Sequence, residues 1–118
     1  MRITIVGCSG SMSGPASAAS CYLVQADSTD EAGRTRTHSL VLDLGPGAMG
    51  RLLNYLDPAD LDAVALSHLH ADHCTDIVGM QVYRRWIPGG PLDRIPVYSP
   101  QDGLARTRQI GGDPQEET

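Results

Sequence analysis

Three of the four histidines in this 118-residue chain fall within six residues: His68, His70 and His73, with Asp72 among them. Imidazole nitrogens and a carboxylate oxygen are borderline-to-hard donors, and such a set suits zinc and related transition ions. Without a cation, gathering these side chains would serve packing poorly, because buried polar groups need partners. A single histidine at a strand end is ordinarily a satisfied polar residue, and Asp72 alone could be a helix N-cap. The concentration of donors is what points to metal ligation.

The flanking elements must bring these donors to one point. Ala63 to Leu66 is a short apolar run that reads as a buried strand. Ile77, Val78 and Met80 then begin a helical pattern, so the cluster occupies a strand-to-helix turn. Alternate residues of an extended segment share a face, which puts His68, His70 and Asp72 together. His73 joins them only if the chain turns into a helix at 72–75. The helix predicted over 75–86 also carries Val82 and Tyr83, and Arg84 and Arg85 suit its C-terminal end. Cys74 reads as a partly buried residue at the helix start rather than as a ligand.

The run His68-Leu69-His70-Ala71-Asp72-His73 resembles the His-x-His-x-Asp-His signature of the metallo-β-lactamase-fold hydrolases. The resemblance implies a mixed α/β (α+β) chain that forms the N-terminal half of an αββα sandwich. It implies that His68 and His70 serve a first metal and Asp72 and His73 a second, with Asp72 positioning a metal-bound hydroxide. It implies zinc, two ions in the complete fold, with manganese or iron as alternatives.

Arg2 to Gly7 alternates and is rich in β-branched residues, the mark of a strand. The small-residue loop from Cys8 to Pro15 could offer backbone N–H groups to an oxyanion, but it lacks the lysine and spacing of a P-loop. By resemblance, Ser9, Gly10 and Ser11 form a substrate loop, since a Gly-x-Ser-rich loop follows the first strand in the phosphodiesterase and tRNA 3′-processing branches. Residues 18–26 read as a second strand, 27–38 as an exposed hairpin connection with His38 on the surface, and 39–44 as a third strand. Asp43, before the turn Gly45-Pro46-Gly47, is either a cap for the following helix or a carboxylate that orients a ligand, two compatible roles. Residues 48–56 read as a helix with Met49, Leu52, Leu53 and Leu56 on one side, broken at Asp57-Pro58. Residues 95–98 read as a short strand and 101–110 as a weak helix. The domain is expected over 1–110, with 111–118 an acidic tail without fixed structure.

Composition narrows the function classes. A net charge of −5 argues against charge-driven binding to nucleic acid or an anionic membrane. It leaves room for a phosphate substrate, because bound divalent cations invert the local field. Phe is absent and aromatics are 4%, so aliphatic residues and alanine must fill the core. The 3 cysteines form no C-x-x-C pair and read as reduced thiols of a cytoplasmic protein. No run reaches transmembrane length.

No histidine follows His73, whereas complete members of the resembled family take further ligands from later strands. A sheet without its partner layer exposes an apolar face and unpaired edges. The expectation is therefore a fragment, a shortened reading frame, or a chain that needs a homo-oligomeric or other partner to supply the C-terminal half. The favoured function is a metal-dependent hydrolase of a small-molecule or nucleotide phosphodiester. Gly7 to Ser11, Asp43 to Gly47 and Cys74-Thr75-Asp76 are similar to the phosphodiesterase and tRNA-processing branch, including actinobacterial cyclic-nucleotide phosphodiesterase-like members. The alternative is a non-catalytic metal-binding remnant.

Overall fold

A computed structural model describes residues 1–112 of the chain. Five strands form one sheet in the order β1-β2-β3-β4-β5, with β1 Arg2–Gly7, β2 Cys21–Thr29, β3 Thr35–Leu42, β4 Ala63–Ala65 and β5 Val97–Tyr98. β1, β2 and β3 are antiparallel neighbours, whereas β4 runs parallel to β3 and β5 parallel to β4. The parallel pairs require crossovers. The first is α1 (Ala48–Leu52) with a 3-10 turn at Pro58–Asp60, and the second is α2 (Ala71–Cys74) with α3 (Ile77–Trp86). α4 (Gly103–Gly111) follows β5.

Register sorts the strand residues onto two faces. Leu23 pairs with Val41 and Val41 with Val64, and all three are buried with Leu52, Ala48, Ile77 and Met80 from the helices. Each of these side chains larger than alanine contributes roughly 1.5–3 kcal/mol by leaving water. The opposite face is also apolar: Ile3 lies beside Val24, Ile5 beside Tyr22, Val24 beside Leu40, Leu42 beside Ala65, and Ala65 beside Tyr98. None of these is fully buried, and Ile3, Ile5 and Tyr98 are 62%, 58% and 62% exposed.

Three expectations are corrected. Residues 27–38 are not a loop: β2 and β3 run on through them, and the turn is confined to 30–34. Polar cross-strand bonds sustain the extension, with the Thr37 hydroxyl donating to Asp27, while the Asp30 carboxylate closes the turn on the N–H groups of Ala32 and Arg34. The helix expected over 48–56 ends at Leu52, and Leu53 is 52% exposed. The helix expected from Thr75 is two pieces, α2 starting at Ala71 and α3 at Ile77. At the other end Gly111 closes α4 and Gly112 adopts φ 78°, the left-handed cap glycine favours. The rest of the expected tail, 113–118, lies outside the described residues.

Candidate metal centre

Parallel neighbours leave a sheet at the same edge, and α/β sheets bind ligands there. β3 and β4 do so together, because Leu42 pairs with Ala65 and the Asp43 N–H donates to the Ala65 carbonyl at 2.9 Å. Asp43 then takes φ 62°, a left-handed conformation uncommon for any residue but glycine, asparagine or aspartate. This turn delivers its carboxylate to the start of the histidine motif. One oxygen accepts from the Ser67 N–H at 2.8 Å. The other accepts from the Ser67 hydroxyl at 2.7 Å and from His73 Nδ1 at 2.9 Å. Asp43 is 5% exposed, so these bonds are its main compensation for burial. It makes no cap for α1, whose N-cap is Gly47 with no side-chain bond.

The following residues hold α2 in place. The Leu44 N–H donates to the His73 carbonyl at 2.9 Å, and the Asp76 N–H donates back to the Leu44 carbonyl at 3.0 Å. Gly45 makes the approach possible: a Cβ there would stand 2.5 Å from the Asp72 carbonyl oxygen and 2.7 Å from Ala19 Cβ. The Asp76 carboxylate accepts from the Met49 N–H at 2.9 Å and so joins α3 to α1.

With α2 starting immediately after His70, the chain reverses within the motif. His68, Asp72 and His73 converge, their potential ligand atoms all within 4.8 Å of one another. The His68 and His73 rings lie 3.9 Å apart by centroid. His73 Nε2 is 3.3 Å from an Asp72 oxygen. His70 stands just outside this set, edge-on to His68 with centroids 5.2 Å apart. The structure thus groups His68 with the Asp72–His73 pair, where extended geometry alone would group it with His70.

The loop expected to meet substrate divides in two. The Ser11 hydroxyl bonds to Asp72 and, as the largest influence, holds that carboxyl below the usual carboxylate range. The Ser9 hydroxyl instead donates to the Ser17 carbonyl at 3.0 Å. Gly10, at φ 85°, supplies the turn between them, and its carbonyl accepts from the Ser20 N–H. Cys74 is buried, its thiol directed at the carbonyls of Leu69 and His70 and pushed up in pKa chiefly by desolvation. His38 is far from this centre in the fold, on β3, with Nε2 2.6 Å from the Ser28 hydroxyl. Ser67 is the residue that sequence reasoning passed over. Its signal was available: a hydroxyl immediately before the first histidine, where β4 ends beside β3.

The donor set fits a transition ion. Asp43 accepts a hydrogen bond from His73 Nδ1–H, so in the neutral ring the Nε2 lone pair faces Asp72. Two acceptors 3.3 Å apart repel unless a proton or a cation lies between them. A divalent ion answers both at once. A surface cavity of about 1160 Å³, lined by α3, α4 and residues 91–95 among others, includes none of these residues.

Comparison with known proteins identifies the family. Residues 14–107 match the model of the metallo-beta-lactamase superfamily. The chain is 45% identical over 106 residues to the uncharacterized protein Rv1339 of Mycobacterium tuberculosis, covering 90% of this chain and 36% of that one. It superposes on the metallo-beta-lactamase fold protein YhfI of Bacillus subtilis with a TM-score of 0.69 and 29% identity, covering 91% of this chain and 40% of YhfI. Over 53 residues, 44% of this chain and 18% of the relative, it is 42% identical to ribonuclease Z of Pyrobaculum neutrophilum. The chain therefore spans little more than a third of the length of Rv1339, and it carries the strand-end histidine motif on a fold it shares with YhfI. It belongs to the metallo-beta-lactamase superfamily.

Proposed function

We propose that this chain carries the metal-ligating half of a hydrolase that cleaves a phosphodiester. The observation that carries the reading is the convergence of His68, Asp72 and His73, with ligand atoms within 4.8 Å, at the ends of two parallel strands. His70 borders the set and completes the donors this segment offers. Zinc is the ion the two imidazoles and the carboxylate fit, and manganese or iron would use the same donors. When bound, such an ion acidifies water to give a nucleophile near neutral pH and offsets charge on a phosphoryl oxygen.

The chain's own residues set the stage for that chemistry. Asp43 holds His73 with its Nε2 lone pair toward the centre, and Ser11 fixes the Asp72 carboxylate that orients the nucleophile. The choice of a phosphodiester is supported by the relative named as a ribonuclease, whose substrate is by definition one. It is supported also by the small-residue loop after β1, whose Ser11 hydroxyl bonds to Asp72. The remaining ligands of a full site, three protein donors and water per catalytic ion, would come from a C-terminal half, a partner chain or a second copy.

The test is hydrolysis of bis(p-nitrophenyl) phosphate by the purified chain with zinc or manganese. Turnover that falls to background in Asp72→Ala supports the hydrolase. Bound metal with no turnover favours the second reading, a metal-binding module without activity of its own.

A further inference from the structure

A serine hydroxyl carries one proton and two lone pairs. Ser67 Oγ has two partners: an Asp43 carboxylate oxygen at 2.7 Å and His68 Nδ1 at 3.0 Å. The carboxylate can only accept, so the single hydroxyl proton goes to Asp43. Were it given to His68 instead, two oxygen acceptors would face each other at 2.7 Å. With the hydroxyl hydrogen bond donated to Asp43, the Ser67 oxygen is left to accept, and His68 Nδ1 must be the donor. The His68 ring is then fixed as the Nδ1–H tautomer, and its Nε2 is the free lone pair.

The same carboxylate oxygen accepts a hydrogen bond from His73 Nδ1–H at 2.9 Å. One buried aspartate therefore sets two imidazoles, His73 directly and His68 through a hydroxyl. The backbone fixes the relay at its middle: the Ser67 N–H donates to the second Asp43 oxygen at 2.8 Å, so Ser67 cannot rotate away without breaking a bond to a group that is 5% exposed. We propose that Ser67 is a positioning residue, a relay by which Asp43 orients His68 for metal binding. Its consequence for the metal rests on the reading of the site given above, whereas the tautomer it imposes does not.

Both parts can be read without activity. Long-range nitrogen–proton correlation spectra of the metal-free 118-residue chain, at a pH where the imidazoles are neutral, report the tautomer of each histidine. Zinc affinity is read by competition with a chromophoric chelator. In the wild type, His68 and His73 are both expected as Nδ1–H. In Ser67→Ala, His68 is expected to shift toward Nε2–H while His73 is unchanged, and zinc affinity to fall about tenfold or more, the cost usual for a residue that supports a ligand. Ser67→Thr keeps the hydroxyl and is expected to restore both. An Nε2–H tautomer at His68 in the wild type overturns the proposal without need of any variant. So does a Ser67→Ala chain with wild-type tautomer, one with wild-type zinc affinity, or a folded Ser67→Thr chain that fails to recover. If the tautomer shifts as expected but the wild-type chain takes up no zinc, the relay stands and the metal reading is what falls.

Discussion

Asp43 shows how much one side chain can organise. Its backbone sits at φ 62°, and its carboxylate meets three donors from Ser67 and His73. Asparagine tolerates that backbone conformation, so Asp43→Asn isolates the chemistry of the side chain. The amide nitrogen would face a donor that the carboxylate accepts from, leaving one buried bond unmade at a cost of about 1–3 kcal/mol. Metal affinity is expected to fall about 10–100-fold by chelator competition, with the strand content intact by circular dichroism. The histidine cluster and Asp43 were legible from their residue types, and so was the small-residue loop near them. What was not legible is which hydroxyl does what. Ser9 and Ser11 look alike in sequence, yet one is spent on the Ser17 carbonyl and the other reaches Asp72. Local turn geometry around Gly10 makes that difference, and no composition reveals it.

At the scale of elements, the site depends on how closely the chain after β3 approaches α2. Gly45→Ala is expected to destabilise the protein by about 1–3 kcal/mol, seen as a lower urea midpoint, because its Cβ would meet backbone at 2.5 Å. A second tie joins the first crossover to α3. Asp57 accepts from the Ala59 N–H and the Tyr83 hydroxyl, which hold its carboxyl below the ordinary 3.8. The hydrogen bond to Asp57 in turn raises the Tyr83 phenol above its ordinary 10.0. The signs differ. The Asp57 contribution is present above its ordinary value and is lost as pH falls through its lower folded one. The Tyr83 contribution is present below its ordinary value and is lost as pH rises through its higher folded one. Tyr83→Phe should therefore lower the unfolding midpoint throughout the neutral range, and the gap to wild type should close in strong alkali. Strands with alternating or continuous apolar residues were read close to their true positions, β1 without error. The outer part of the β2–β3 hairpin was missed because polar cross-strand bonds, not burial, sustain it. α1 was read too long because its apolar pattern continues into a turn that leaves Leu53 in water.

For the whole molecule, the sheet carries helices on one face and presents Ile3, Ile5 and Tyr98 on the other. Apolar residues in the sequence marked the strands, but they carry no mark of which face the helices take. The crossovers decide that, since Leu52, Ile77 and Met80 all pack on the side of Leu23, Val41 and Val64. The three donors that converge at the strand ends, with ligand atoms within 4.8 Å, are each partly buried. Among the described residues no helix is long and apolar enough to cross a membrane. The central claim, that a cation is held by His68, Asp72 and His73, is tested most directly by titrating zinc into the nitrogen-15-labelled chain and following each imidazole. The account predicts that the Nε2 resonances of His68 and His73 move together and saturate, that Asp72→Ala abolishes the movement, and that His38 stays still. Unmoved His68 and His73 signals at excess zinc, or a His38 shift as large as theirs, would contradict it.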